Sequence, residues 1–309
     1  MHVLVTGGAG FIGSHVVDTL IQRGHTVTVL DDLSTGKRQN VHPQARLIIG
    51  DVCQTDWQAP LTEQDNPPEA VIHLAAQVDV QTSLRDPGRD AQVNIIGTLQ
   101  MLEFCRRQGI QRLVLASSAA VYGEPQRLPI DEEHPVAPMN FYGISKHTPE
   151  HYLAVYRQLH GIEGIALRFA NVFGPRQDAT GEGGVVAIFA DHLRRHQAPV
   201  IFGDGEQTRD FVFVGDVAAA VIQAMEAPAS QLRHHIYNVS TGVPLTVNQL
   251  YQTMQDIQGS KLPVNYGPAR PGDIQHSYLD STRIYNDLDW RPRITLADGL
   301  ALTLAASVE

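Results

Sequence analysis

Val3-Leu4-Val5-Thr6-Gly7-Gly8-Ala9-Gly10-Phe11-Ile12-Gly13 runs from an apolar stretch straight into a glycine turn, and Ser14 to Arg23 continue with helical character. The pattern predicts a buried strand, a tight loop and a helix whose first amides look out over the strand's end. Glycine allows positive φ, lets a phosphate approach where a Cβ would block it, and lets the helix pack closely on the strand. A nucleotide pyrophosphate is the ligand such a helix start accepts. Two registers fit, Gly7-x-x-Gly10-x-x-Gly13 and Gly8-x-Gly10-x-x-Gly13, and spacing leaves both open. A second apolar run, residues 25–30, ends in Asp31, 18 residues beyond Gly13. A carboxylate there is placed to accept from the ribose 2′-hydroxyl of NAD, which outweighs an ordinary tight turn with a capping Asp.

Working outward, apolar runs at 2–5, 26–30, 46–49, 70–75, 112–116 and 164–169 predict buried parallel strands. Helical stretches alternate with them, among them Ser14 to Arg23, Asp90 to Gln108 and Phe141 to His160. Such alternation predicts an α/β protein with a Rossmann-type, doubly wound parallel sheet. Past residue 170 the rhythm loosens, with Gly and Pro gathered at Phe173-Gly-Pro, Gly181-Glu-Gly-Gly184, Phe202-Gly-Asp-Gly205 and Gly267-Pro-Ala-Arg-Pro-Gly272. Loops of this kind serve ligands. The expected division is therefore 1–170 for the cofactor, with a return segment near 209–226, and 171–309 for a smaller, partly interleaved C-terminal α/β substrate domain.

The net charge of −10 opposes nucleic-acid binding, which needs a basic face. Arg106-Arg107 and Arg194-Arg195 read as solvated helix faces. Cys53 and Cys105 lie far apart without CxxC spacing, which suits a reducing compartment and opposes a disulfide framework or a zinc site. No apolar run reaches about 18 residues and no charged leader with an apolar core precedes Val3, so the expectation is a cytoplasmic protein without a membrane partner.

Tyr142-Gly-Ile-Ser-Lys146 sets a phenol and an ammonium four residues apart, on one helix face. A neighbouring cation favours the phenolate and brings a group of ordinary pKa about 10 toward general-base range. By itself the pair is common. Arg112-Leu-Val-Leu-Ala116, however, delivers Ser117-Ser118 at a strand's C-terminal end, the edge where α/β sheets bind ligands. A hydroxyl there can bond the oxygen being oxidised, and beside the Tyr-Lys pair this reading prevails over a helix-capping serine.

With Thr6 to Gly13, Leu30-Asp-Asp-Leu-Ser-Thr-Gly36, Gly50-Asp51, His73-Leu-Ala-Ala76, Asn94, Ser117-Ser118-Ala-Ala-Val-Tyr-Gly123, Tyr142 to Lys146, Arg168-Phe-Ala-Asn-Val-Phe-Gly-Pro175, Arg209-Asp210 and Arg270-Pro-Gly-Asp273 in order, the chain resembles the extended short-chain dehydrogenase/reductase family. Within that family it is similar to the NAD-dependent epimerase/dehydratase group, and there to the nucleotide-sugar 4-epimerases. The likeness covers essentially the whole chain.

The resemblance implies that Gly7, Gly10, Phe11, Ile12 and Gly13 hold the pyrophosphate of NAD and Asp31 the adenosine ribose, with Leu33, Ser34, Thr35 and Gly36 lining the turn beyond. Asp51 and Val52 meet the adenine, Leu74, Ala75 and Ala76 run along the cofactor, and Asn94 supports it. Lys37-Arg38 raises NADP, but Asp31 repels a 2′-phosphate, so NAD is expected. Tyr142 is the implied general base or acid and Lys146 its electrostatic partner and ribose donor. Ser118 is the implied hydroxyl relay, four residues before Tyr122. Ala119-Ala120 stand where relatives that eliminate water carry an acidic pair, so dehydration is not expected. Asn171, Val200, Phe202, Arg209, Arg270 and Asp273 match positions that hold UDP, and the paired donors of arginine suit diphosphate oxygens. Ser277 falls beside the C2 substituent of the sugar, where a small residue leaves room for an N-acetyl group.

The implied activity is reversible C4 epimerisation of a UDP-hexose, UDP-glucose/UDP-galactose and also UDP-GlcNAc/UDP-GalNAc, with NAD retained. Epimerisation of UDP-glucuronate, reduction of a nucleotide sugar, and a non-catalytic NAD sensor are the alternatives; a sensor needs the glycines but not the base. The long helices around Asn94 and Tyr142 imply a homodimer. Two departures stand out: Gln77, where some relatives have a lysine on the phosphates or substrate, and Pro149, which is expected to interrupt and kink the Tyr142 helix.

Overall fold

Because the apolar runs are buried on both faces, they form strands with side chains alternating into two cores. The computed structural model describes residues 1–62, 67–179, 184–270 and 273–306. The glycine-rich residues 181–183 and Pro271-Gly272 of the Arg270–Asp273 motif lie outside the described residues. The strands are β1 (His2–Thr6), β2 (Thr26–Asp31), β3 (Arg46–Ile49), β4 (Ala70–His73), β5 (Arg112–Ser118), β6 (Glu163–Phe169), β7 (Asn171–Phe173), β8 (Val200–Phe202), β9 (Thr208–Phe213), β10 (Ile236–Val239), β11 (Pro244–Thr246) and β12 (Asn265–Gly267).

Seven of them make one sheet in the order β10-β6-β5-β4-β1-β2-β3, and every pairing in it is parallel. In β1, Val3 and Val5 enter one core while Leu4 enters the other; in β5, Val114 and Ala116 oppose Leu113 and Leu115 in the same way. The chain order reverses between β1 and β4, whose ends Thr6 and His73 are in register. This is the switch point at which doubly wound sheets hold their ligands.

Two smaller sheets, β11-β9-β7 and β12-β8, surround a third core of Phe173, Phe189, Phe211, Leu250, Tyr251 and Leu300. The chain also returns to the large sheet: the helix Val214–Glu226 packs on the helix Phe11–Gln22, and β10 pairs with β6. No helix among the described residues is long and apolar enough to cross a membrane.

Three elements differ from expectation. The strand over 70–75 stops at His73, because the next residues leave the sheet to meet the glycine loop: a Cβ on Gly7 would stand 2.7 Å from the Ala75 amide nitrogen. The helix over 90–108 is a short helix Pro87–Ala91, one π-helical turn Gln92–Ile96 and the helix Gly97–Gln108. Such wide turns recur at functional sites, and this one carries Asn94 into the interior. Pro149 does not interrupt its helix, which runs unbroken from Phe141 to His160 with Pro149 buried inside it; packing outweighs the one lost backbone bond.

The glycines of the first loop do different work. Gly7 has φ of 70°, and a Cβ on Gly13 would lie 2.0 Å from the Gly7 carbonyl oxygen. Gly10, extended and with only that oxygen near its Cβ position at 3.2 Å, is open on its outer side. Gly13→Ala is accordingly expected to destabilise the protein by about 3 kcal/mol and Gly10→Ala by less than about 1 kcal/mol, read from urea midpoints. Equal midpoints for the two variants would contradict this geometry.

Candidate active site

The two loops at the switch point are tied by side chains. Thr6 Oγ1 lies 2.7 Å from His73 Nδ1 and accepts from the amides of Leu74 (3.2 Å) and Ala75 (3.1 Å). Thr98 Oγ1 donates to the Asn94 carbonyl at 2.6 Å, so it accepts from His73 Nε2 at 3.1 Å. The imidazole is thus protonated on Nε2 and accepts the Thr6 hydroxyl on Nδ1. Burial, reinforced by the charge of Lys146, pushes its pKa down to about 3. Asn94 extends the chain of bonds: it donates to Ser145 Oγ (2.9 Å) and to the Gln77 carbonyl (3.0 Å), and accepts from the Gln77 amide (2.8 Å).

Around the loops lies a cradle whose shape suits a dinucleotide. Gly10 and the first turn at Phe11 and Ile12 present a helix start, with Gly13 locked beneath. Asp31 ends β2; its carboxylate accepts from the Ala9 and Leu33 amides, each at 2.9 Å, and burial pushes its pKa upward against those bonds. Each oxygen keeps a lone pair for a ribose hydroxyl. Leu33, at φ 58°, turns the chain toward Ser34, Thr35 and Gly36, and a Cβ on Gly36 would meet Asp31 Oδ1 at 2.7 Å. Asp51 is exposed and accepts from the Cys53 amide at 2.8 Å, whereas Val52 is buried against Gly97. Leu74, Ala75 and Ala76 are half-buried on the rim. These residues fit NAD.

Tyr142 and Lys146 share the helix Phe141–His160, whose start is capped by Asn140 accepting from the Gly143 amide at 2.8 Å. Gly143 lets this helix approach the turn after β5: a Cβ there would stand 2.6 Å from the Ala120 carbonyl oxygen. That close approach sets the Ser118 hydroxyl beside the Tyr142 phenol, where it favours the phenolate. Ser118 Oγ also accepts from the Ala120 amide at 3.1 Å.

The electrostatics differ from the sequence expectation. Burial pushes the Tyr142 phenol above its ordinary value, opposed by the Ser118 hydroxyl and reinforced by Asp90. Lys146 is itself pushed down to about 8 by burial, against the pull of Asp90 and Glu150. In the protein alone, desolvation rather than the neighbouring cation sets the direction for the phenol.

Two further charged residues, Asp90 and Glu150, were not singled out by sequence reasoning. Asp90 is buried; its Oδ1 accepts from Gln77 Nε2 at 2.8 Å and Asn94 Nδ2 at 3.3 Å, and its Oδ2 is buried without a hydrogen-bond partner among the described residues. Gln77 thus binds inward to this carboxylate. Glu150, one turn beyond Lys146, accepts from Ser117 Oγ at 2.6 Å and pairs with Arg168 at 2.6 and 3.0 Å. Burial opposes its charge, but the bonds from Arg168, His147 and Ser117 hold it down to about 2. Ser117 is therefore turned to the rear while Ser118 faces the site. The signal in sequence was spacing: Asp90 stands four before Asn94 and Glu150 four after Lys146.

The remaining candidates form a second cluster on the smaller sheets. Arg209 of β9 pairs with Asp273, and the guanidinium of Arg270 lies 4.2 Å from the ring centroid of Phe202 on β8. Val200 and Asn171 are exposed on β8 and β7. The Ser277 amide donates to the Thr208 carbonyl at 3.1 Å, beside Arg209. Asp210 anchors the cluster, its buried carboxylate accepting from Thr241 Oγ1 and from the amides of Thr241, Gly242 and Leu279 at 2.6–3.3 Å.

Residues 3–240 match the NAD dependent epimerase/dehydratase family. A putative UDP-glucose 4-epimerase of Methanocaldococcus jannaschii is 43% identical over 299 residues, covering 96% of this chain and 95% of the relative. Among solved structures, a UDP-glucose 4-epimerase from Thermotoga maritima with UDP-glucose aligns at a TM-score of 0.94 and 42% identity, over 98% of this chain and 97% of that one. A UDP-N-acetylglucosamine 4-epimerase from Methanobrevibacter ruminantium in complex with UDP-N-acetylmuramic acid aligns at 0.91 and 35% identity, over 98% and 96%.

The depressed lysine makes the site a local weakness. Below about pH 8 the folded protein must charge Lys146 in its interior, whereas an unfolded chain does so up to about pH 10.5, so this penalty is full at neutral pH and fades between the two values. Lys146→Met is expected to raise stability at pH 7 by about 1–3 kcal/mol, with the gain shrinking above pH 8. Urea unfolding at pH 7 and 10 checks both; a destabilised variant at pH 7 would show that the ammonium is better solvated than its burial implies.

Proposed function

The chain belongs to the NAD-dependent epimerase/dehydratase family, and from that premise we propose that it inverts C4 of a UDP-hexose, interconverting UDP-glucose and UDP-galactose through a 4-keto sugar. The observation that carries this reading is the placement of Ser118 beside Tyr142, one helical turn from buried Lys146, at the sheet edge that also bears the glycine cradle. NAD held by the glycine cradle would supply the acceptor, and then the donor, for the C4 hydride.

Tyr142 takes the 4-hydroxyl proton and later gives it back, and Ser118 bonds the same oxygen. Lys146 supplies the positive charge that favours the phenolate and donates to the nicotinamide ribose. Gly7, Gly10, Phe11, Ile12 and Gly13 take the pyrophosphate and Asp31 the adenosine ribose. Arg209 and Arg270 face the UDP diphosphate, helped by Asn171, Val200, Phe202 and Asp273, so the keto sugar can turn over about its phosphate linkage without leaving. Residues 1–170, with the return segment 209–226, serve the cofactor and 171–309 mainly the nucleotide sugar; the packing of Val214–Glu226 on Phe11–Gln22 supports the return.

Phe141, Ile144, Tyr152, Val155 and Leu159 make an exposed apolar stripe at helical spacing on the Tyr142 helix, and a second copy of the chain is the partner that suits it. Cys53 and Cys105 are free thiols, each pushed up to about 12, mainly by burial, in keeping with a cytoplasmic protein.

Purified protein given UDP-glucose, UDP-GlcNAc or UDP-glucuronate without added cofactor should yield the C4 epimer of UDP-glucose, analysed by NMR. A demand for stoichiometric reductant would move the reading to a reductase. Tyr142→Phe should lower turnover by about 10²–10⁴-fold while keeping NAD bound; undiminished turnover would remove Tyr142 from the chemistry. Ser277 leaves room at C2, and Ser277→Tyr is expected to lower turnover of UDP-GlcNAc relative to UDP-glucose by at least about tenfold. An unchanged ratio would place Ser277 away from the sugar.

A further inference from the structure

The outer flank of the Tyr142 helix carries a histidine pair that the proposed reaction does not use. His147 and His151 are one turn apart, and their Nε2 atoms stand 3.0 Å from each other. The rings are inclined at 74° with centroids 4.5 Å apart. In the single chain His151 is exposed and His147 half-buried, on the flank of the apolar stripe that suits a second copy. Behind them, His147 Nδ1 lies 3.2 Å from Glu150 Oε2.

This carboxylate decides how the pair is used. Glu150 is buried, charged and held by Arg168, so His147 donates Nδ1–H to it and turns the lone pair of Nε2 outward. A histidine whose rear nitrogen is fixed by a carboxylate while its front nitrogen is bare has the arrangement of a metal ligand, oriented by its partner. Among the described residues His151 has no such tether. Its proton can move from Nε2 to Nδ1 through solvent, leaving a second bare Nε2 with no net change in charge.

From this juxtaposition we propose that His147 and His151 form a two-histidine site for a divalent transition-metal ion of the nickel, copper or zinc type. Metal–nitrogen bonds of 2.0–2.1 Å place two imidazole nitrogens about 2.9 Å apart at neighbouring square-planar positions and about 3.4 Å apart in a tetrahedron. The observed 3.0 Å needs only a small adjustment for an ion to replace the contact between the rings. Among the described residues no group of three or more His, Cys, Asp or Glu is arranged for a metal, so the pair supplies two ligands and water completes the shell. Two neutral imidazoles exclude the harder magnesium and calcium ions, which require oxygen. The site is independent of the substrate assigned above.

Calorimetric titration of tag-free, chelator-treated protein with NiCl2 and with ZnCl2 tests it. The expected result is one ion per chain, with affinity reduced by about tenfold or more in both His147→Ala and His151→Ala. His151 is on the surface, so His151→Ala should melt at the wild-type temperature in EDTA, and added NiCl2 should raise the melting temperature of wild type but not of this variant. Absence of binding by wild type, or affinities for both ions unchanged by both substitutions, overturns the proposal.

Discussion

One neutral imidazole, buried between two hydroxyls, sets the geometry on which the site is built. His73 receives the Thr6 hydroxyl on one side and gives its proton to Thr98 on the other. The directions are mutually dependent: because Thr6 donates to the ring, its oxygen is free to accept the amides of Leu74 and Ala75. The same bonds therefore close the end of β1 against the end of β4 and fix the π-helical turn that presents Asn94. From Asn94 they reach Ser145, next to Lys146. A proton added to His73 would break this direction of donation and place a second cation near Lys146 in the interior.

The parts of this arrangement that sequence reveals are those with a local cause. Glycine at 7, 10 and 13, aliphatic residues repeating at the sheet period, and a Tyr and Lys one turn apart each have a conformational or chemical reason to recur at fixed spacing. The doubly wound sheet follows from them, and the site residues lie on its loops and edges. What stayed hidden depends on contacts between distant segments. Glu150 reads as one more polar helix residue until β5 and β6 bring Ser117 and Arg168 against it. Gln77 reads as a missing lysine until Asp90 appears beside it. The upward shift of Tyr142 was equally inaccessible, because spacing reports the neighbouring cation but not the burial that sets the direction.

Charge is concentrated behind the reacting face. Lys146 lies between the influence of Asp90 and Glu150, while Glu150 is neutralised chiefly by Arg168. Burying such groups gives little net stability, since the attraction must first offset desolvation. Its effect here is positional: Ser117 is drawn to the rear by Glu150, and the adjacent Ser118, pointing the opposite way along the strand, is left toward Tyr142. The two serines have the same chemistry and acquire different surroundings from strand alternation alone.

The pairing of β10 with β6 carries a consequence for how the protein is made. About 66 residues separate Phe169 from Ile236, and until they have been synthesised β6 has β5 on one flank and nothing on the other. At 5–20 residues per second the interval is on the order of 3–13 s. Through it the nascent chain holds open a parallel edge bearing Ile165, Leu167 and Phe169, a template for pairing with a neighbouring polypeptide. The return of the chain to its first sheet is thus also the step that covers this edge of β6.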